Sequence, residues 1–281
     1  MTNNNAASEG LTLDDVSGVR KPFAQAHWLP SNAYTDDNVW RQELRQIFSR
    51  EWLVVGRIDQ LTQPGSYFCK EIAGVRVFVV RGAVDIVRAF HTVCRHRGMW
   101  VAEGNGDTHR FVCPYHGWTY ELDGCLVAAP EMARTEEFEL DDYPLKGIRC
   151  ETWQGFVAIN LDVDAPPFGA GLEDLGEIIA PWNLSEMITA NERIYLTSWD
   201  WKLMWENAIE GYHTSYLHRK SVGDGIPTSL SWVSEELDGR AWSDLHHPFS
   251  NTGTRKVPDA PVLLDNLPDF AARELVFFHV W

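Results

Sequence analysis

"CRHRGMWVAEGNGDTHRFVCPYHGW", Cys94 to Trp118, sets Cys94-x-His96 and Cys113-x-x-His116 on either side of sixteen residues, 97–112, rich in turn formers. Each pair falls where a loop between strands is expected, so two apposed hairpin loops are predicted to hold one metal centre between them. Two chemistries use these donors. A Cys2His2 zinc tetrahedron usually takes its cysteines as one close pair and its histidines as another, whereas here each loop supplies one of each. The mixed supply suits a two-iron cluster, with one Cys from each loop on one iron and one His from each on the other. Neutral imidazoles in place of thiolates remove negative charge and raise the reduction potential.

The flanking sequence predicts the frame for such loops. "SYFCKEIAGVRVFVVRGAVDIVRAFHTVC", 66–94, alternates β-branched or aromatic runs with Gly at the turns, a pattern of antiparallel strands and hairpins. Upstream, "DDNVWRQELRQIFSREW", 36–52, places Val39, Leu44, Ile47 and Phe48 at helical spacing behind an acidic start. The first 20 residues are polar and are expected to form an arm. Downstream, "VDAPPFG" after "WQGFVAINLD" marks a boundary near residue 165, followed by a helix-favouring stretch, "LEDLGEIIAPWNL". The expected organisation is an arm at 1–20, a helical segment at 21–49, a β domain at 50–165 and a second domain at 166–281.

Composition bounds the partners. A length of 281 residues with 44% hydrophobic content provides for a sizeable core, and the formal charge of −16 gives no electrostatic footprint for nucleic acid or anionic lipid. Neither a basic-apolar leader nor a run of about 20 apolar residues is present, so a cytoplasmic protein with no membrane partner is expected. Five cysteines are too few and too irregular for a disulfide framework. Cys69, Cys125 and Cys150 match no motif and are expected to be small buried residues.

A second constellation lies in "SWDWKLMWENAIEGYHTSYLH", Ser198 to His218. A strand over "ERIYLTSWD" is expected to lead into a helix on which Glu206, Glu210 and His213, spaced by four and three, share one face. His218 lies five residues past His213, about 140° round an ideal helix, so both meet one metal only if the helix ends or bulges between them. Core or solvated histidines are the competing reading from spacing alone.

Together the two constellations resemble the alpha subunits of Rieske non-heme iron oxygenases. "CRHRG" and "CPYHGWTY" look like the ring-hydroxylating form of the Rieske motif. Glu206, Asn207, Glu210, Tyr212, His213 and His218 fall in the order of that family's E-N-x-x-[D/E]-x-Y-H-x4-H segment. The resemblance implies an α+β fold: an all-β Rieske 2Fe-2S domain, then a START-like helix-grip domain of antiparallel sheet with helices. It implies that Cys94 and Cys113 bind one cluster iron and His96 and His116 the other, with Arg97, Gly98, Gly117 and Trp118 shaping and packing the loops. It assigns His213 and His218 to a mononuclear Fe(II), and makes Asn207 and Glu210 catalytic candidates. In family trimers the acid at the Glu210 position links a cluster His of one subunit to an iron-ligand His of the next; here His116, Glu210 and His213 would form that bridge.

The implied function is a terminal oxygenase component that takes electrons, ultimately from NAD(P)H, through a flavin/iron–sulfur reductase or ferredoxin, and activates O2 on a small organic substrate. A homotrimer or an alpha3beta3 hexamer is the implied assembly. Glu at 210, where Asp is commoner, resembles the subgroup acting on choline, carnitine or glycine betaine. Thirteen Trp residues are compatible with an aromatic cage for a methylated cation and equally with core packing. Oxygenation of an aromatic ring or aromatic acid is the alternative, and a Rieske electron carrier without oxygenase activity is the alternative from another class. The family's third iron ligand, an Asp, lies well over a hundred residues past the second His, whereas 219–281 holds no clear counterpart and ends in the strand-like "ELVFFHVW". A shortened alpha subunit is therefore expected, the other possibility being completion by another chain or by Asp224, Asp238 or Asp244.

Overall fold

The computed structural model describes residues 10–221, 225–234, 240–249 and 267–280. Residues 1–9 of the expected arm, and the candidates Asp224 and Asp238, lie outside the described residues. Two compact units emerge: Trp40–Phe168 with Ser185–Glu192, and Met1–Val39 with Gly169–Leu184 and Arg193–Trp281. A short α1 (Asn32–Thr35) precedes the helical stretch expected at 36–52, which is α2 (Asp37–Glu43) widening into a π turn over Leu44–Phe48.

The first unit is built on ten strands: β1 (Leu53–Arg57), β2 (Ser66–Ile72), β3 (Val75–Arg81), β4 (Val87–His91), β5 (Asn105–Asp107), β6 (Phe111–Val112), β7 (Thr119–Tyr120), β8 (Leu126–Ala128), β9 (Gly147–Trp153) and β10 (Phe156–Asn160). Seven form an antiparallel sheet in the order β1-β10-β9-β4-β3-β2-β5, and β6-β7-β8 form a second, small sheet. Strand β3 explains why two layers grow from one sheet. Its residues Val77, Phe78, Val79 and Val80 are all fully buried, so both faces of the strand are covered. Val77 and Val79 pack with Val55, Leu61, Phe68, Ala89, Val157 and Ile159. Phe78 and Val80 face the other way, into a core with Phe90, Phe111, Trp118, Tyr120 and both Cys94 and Cys113. Burial of each such side chain contributes roughly 1.5–3 kcal/mol. The two cysteines are thus core residues of the layer that the β3 pleat requires.

The second unit contains α3 (Glu173–Ile179), α4 (Trp201–Ala208), α5 (Thr214–Leu217) and the hairpin of β11 (Trp242–Pro248) with β12 (Glu274–Val280), paired Trp242↔Val280 through Pro248↔Glu274. Asp174 of α3 accepts from Trp242 Nε1 at 2.8 Å and Arg240 Nε at 2.9 Å, tying helix to hairpin. Buried His246 of β11 lies between Asp244 (3.2 Å) and Glu274 (2.6 Å) and stacks on Trp232 at 3.7 Å. The fold class is α+β. Among the described residues, no helix is long and apolar enough to cross a membrane.

Three local expectations are corrected. The stretch 192–200 is not a strand: Ile194, Tyr195 and Leu196 are largely exposed, and no neighbouring strand among the described residues completes a ladder for them. The helix expected through Glu210 stops at Ala208, so Glu210 and His213 meet across a turn instead of along a helical face. Cys125 is exposed and Cys69 and Cys150 are half-buried, because each sits at a turn or on a strand face only partly covered. Burial pushes their thiols upward, to about 11 at Cys69 and about 12 at Cys150.

Candidate metal centres

The loops after β4 and β6 repeat one backbone scaffold. In the first, Cys94 N donates to Met99 O (2.8 Å) and Gly98 N to Cys94 O (3.1 Å); in the second, Cys113 N donates to Trp118 O (2.8 Å) and Gly117 N to Cys113 O (3.0 Å). The glycine four residues after each cysteine has φ of +79° or +74°, a conformation that a Cβ disfavours. This repeat makes the Cys and His spacings of the two loops equivalent despite their different sequences.

The four donors come together as pairs. Cys94 and Cys113 are both 2% exposed and close enough for their thiols to interact, while the His96 and His116 rings lie 4.5 Å apart at 69°. His116 Nδ1 is buried with no hydrogen-bond partner, an uncompensated acceptor that a metal would satisfy. Burial holds the Cys94 thiol above its usual range, so a thiolate there needs a cation beside it. Tyr120 Oη accepts from Arg95 N at 3.0 Å and lies 3.2 Å from Cys94 Sγ, where its O–H can donate to the sulfur. Partial burial, with His116 and Arg97 nearby, lowers the His96 pKa and favours the neutral imidazole that ligates metal. His96 stacks on buried Trp118 at 4.8 Å, and Arg97 lies 5.5 Å over Tyr115. Among the described residues no three His, Cys, Asp or Glu side chains converge on one point. Two irons with two protein ligands each fit the paired donors; a single tetrahedral ion does not.

The second constellation lies at the end of α4. Asp200 caps that helix, its carboxylate accepting from Lys202 N at 2.9 Å, and Tyr34 donates to Glu206 at 2.6 Å. Burial, then Glu206, pushes the Tyr34 hydroxyl up to about 12. Past the helix, the Glu210 carboxylate accepts from the backbone N–H groups of Tyr212 and His213 and from His213 Nδ1. His213 opens α5 and His218 closes it, with rings 5.2 Å apart. With Nδ1 engaged by Glu210, Nε2 is the His213 nitrogen left for a metal. Asn207 is exposed on α4 and takes no part in the Glu210–His213 contact, and Tyr212 is exposed. The two imidazoles stand close together, and no third His, Cys, Asp or Glu joins them among the described residues. Asp244 is otherwise engaged, accepting from Ser234 N and Oγ and pairing with His246.

Sequence reasoning passed over Tyr120 and His247. His247 is buried on β11, hydrogen-bonded through Nδ1 to Ser231 Oγ at 2.8 Å; burial and then the facing His213 lower its pKa, with Glu210 opposing. The adjacent "HH" at 246–247 was the available signal.

Two short Cys/His loops with this donor pairing define a Rieske-type iron–sulfur protein, and residues 51–144 match the family model of the Rieske [2Fe-2S] domain. Over a longer span, the chain is 37% identical over 194 residues to the glycine betaine monooxygenase oxygenase subunit of Chromohalobacter salexigens, covering 68% of this chain and 43% of that one. A solved quaternary ammonium Rieske monooxygenase, described for carnitine oxidation by gut microbiota and inter-subunit electron transfer, superposes with a TM-score of 0.78 at 26% identity. That match covers 97% of this chain and 70% of the other. A naphthalene 1,2-dioxygenase mutant bound to phenanthrene gives 0.63 at 25% identity, over 76% of this chain and 52% of that one. The chain belongs to the Rieske oxygenase family, on the side of the quaternary ammonium monooxygenases. It spans about half the length of the curated relatives it matches.

Proposed function

We propose that this chain is the electron-accepting and iron-binding part of a Rieske oxygenase component acting on a small quaternary ammonium compound. The observation that carries the reading is the presence in one chain of a paired two-Cys, two-His cradle and a separate His213–His218 pair whose first imidazole is held by Glu210. Cys94 and Cys113 would hold one iron of a 2Fe-2S cluster, and His96 and His116 the other. His213 and His218 would hold a mononuclear Fe(II), the centre that supplies oxygen activation when bound. The cluster domain is assigned to 50–165 and the mononuclear iron domain to 166–281; of the segment 21–49, residues 21–39 group with the latter and 40–49 with the former.

Within this reading the protein's own groups have defined tasks. Tyr120 steadies the negative charge on Cys94 sulfur, Trp118 orients His96, and Glu210 fixes the His213 tautomer. Glu210 keeps part of its carboxylate exposed, 39% of the side chain, so it can also meet His116 of a neighbouring subunit and close a hydrogen-bonded path between the two centres. A trimer, with or without a second subunit type, and a cytoplasmic reductase or ferredoxin that feeds the cluster from NAD(P)H belong to the same reading. The solved relative described for inter-subunit electron transfer supports the path, and the glycine betaine and carnitine relatives support the substrate class. Asn207 is assigned to the same motif by resemblance alone.

Iron analysis and electron paramagnetic resonance on the purified chain test the reading. A Rieske signal from two irons, with a further ferrous ion lost in a His213→Ala, His218→Ala variant, is the expected result. The 281-residue chain itself is expected to be inactive for want of the third iron ligand; with that ligand supplied, reductase-driven oxygen uptake should respond to glycine betaine, carnitine or choline before naphthalene. A zinc-loaded protein without the Rieske signal overturns the proposal.

A further inference from the structure

The turn that joins Glu210 to His213 is gripped from two sides. Its Gly211 carbonyl accepts from Thr228 Oγ1 at 2.8 Å, and Thr228 is itself fixed by reciprocal bonds with Ser215, 2.8 Å from its N–H to Ser215 Oγ and 3.2 Å from Ser215 N to its Oγ1. On the other side lies His247. A Cβ added to Gly211 would stand 2.5 Å from His247 Cε1, 3.1 Å from Ser231 Oγ and 3.3 Å from His247 Nδ1, so the glycine Cα is pressed against the imidazole edge. The imidazole cannot retreat freely. It is 3% exposed, its Nδ1 is hydrogen-bonded to Ser231 Oγ at 2.8 Å, and Phe277 of β12 meets it edge-on at 5.7 Å and 87°.

This contact controls more than one residue. Gly211 lies between Glu210, whose carboxylate takes the N–H groups of Tyr212 and His213, and His213, whose Nδ1 points to the same carboxylate. A shift at Gly211 therefore moves acceptor and imidazole relative to each other. We infer that His247 is a positioning residue for the candidate iron ligand His213: its imidazole, held by Ser231, fixes Gly211 and with it the turn in which Glu210 engages Nδ1 and leaves Nε2 for metal. His247 acts through Gly211 and not as a ligand, since no third donor converges with His213 and His218 among the described residues. The inference rests on the proposed mononuclear site, but the placement of the turn can be read without metal.

Two measurements on the 281-residue chain decide it: Co(II) affinity with its visible ligand-field spectrum, and amide hydrogen exchange across 209–218. His247→Ala should weaken Co(II) binding about tenfold, the scale of outer-shell losses at metal sites, and alter the spectrum. It should also speed exchange at Tyr212 and His213 while leaving the Rieske absorbance unchanged. Gly211→Ala should do the same through the steric clash, and the double variant should bind Co(II) no worse than either single one, because the vacated ring space accepts the methyl. Wild-type affinity, spectrum and exchange in His247→Ala overturn the inference, as do single effects that simply multiply in the double variant. If Gly211→Ala does not fold, His247→Ala decides through the same two readouts. If the wild-type chain binds no Co(II), or binds it equally after His213→Ala, the mononuclear-site reading falls, and hydrogen exchange alone decides whether His247 sets the turn.

Discussion

His96 lies flat against Trp118, ring centroids 4.8 Å apart and planes 9° from parallel, while Phe138 and Tyr143 meet the indole edge-on at 5.6 Å. The indole is 2% exposed, so an exposed candidate cluster ligand, His96, stacks on a core residue. Trp118→Ala leaves a cavity under His96 and is expected to cost about 3–5 kcal/mol. Trp118→Phe keeps a stacking ring and should lose much less. Thermal unfolding and the visible spectrum of the cluster check both; a cluster in Trp118→Ala as stable as wild type would show that His96 needs no such support.

Tyr120 Oη, 3.2 Å from Cys94 Sγ and anchored by Arg95 N, is the donor that offsets charge on that sulfur. Reduction adds negative charge to the cluster, so removing the donor penalises the reduced state more. Tyr120→Phe should lower the cluster potential by tens of millivolts, on the scale of 59 mV per tenfold change in a one-electron equilibrium. Protein-film voltammetry checks it. An unchanged or raised potential would mean that the hydroxyl bonds elsewhere in the loaded protein.

Most of the first unit was legible in the sequence because its signals are local. The two Cys/His pairs, the Gly at each loop and the apolar run Val77–Val80 each constrain a few adjacent residues. In the structure Cys94 lies by Cys113 and the His96 ring by that of His116. The second unit was read less well because its geometry depends on distant partners. The apolar run near Ile194 reads as a strand, yet a strand needs a neighbour, and none among the described residues supplies one. The helix carrying Glu206 reads as continuing to Glu210, but it stops at Ala208, and Gly211 beyond it takes Thr228 and His247 as partners. His247 and Ser231 are sixteen residues apart and carry no motif, so only the fold brings them to the turn.

The Glu210 carboxylate is shared between the His213 imidazole and two backbone N–H groups. Glu210→Gln keeps the shape but removes the charge, and an amide N–H facing those donors weakens the contact. In the metal-replete protein the variant should retain both centres while substrate-coupled oxidation of the reduced cluster slows by at least about a hundredfold, the upper range for outer-shell losses. Stopped-flow absorbance of the cluster reads this directly. Near-wild-type single-turnover rates would remove Glu210 from the electron path and leave it a positioning role at His213.

Acid should open the β11–β12 hairpin before it opens the cluster unit's sheet. Burial raises the Asp244 pKa, but the Ser234 N–H and hydroxyl, with His246, outweigh it and hold the carboxyl below its usual value. Asp174 is held low as well, first by its bond from Trp242. A carboxyl with a depressed folded-state pKa contributes stability that is fully present above the unfolded value, near 4, and is lost as pH falls through the folded one. Both groups sit on the hairpin or its tie to α3, so their protonation releases the same structure. The second unit should therefore lose hydrogen-exchange protection along Trp242–Pro248 as pH drops below about 4, while Val77–Val80, buried without titratable groups, stay protected. Ser234→Ala removes one acceptor contact of Asp244, raises its folded pKa and should move the onset to higher pH. An onset unmoved by that substitution would mean that the hairpin is held against acid by something other than this carboxylate.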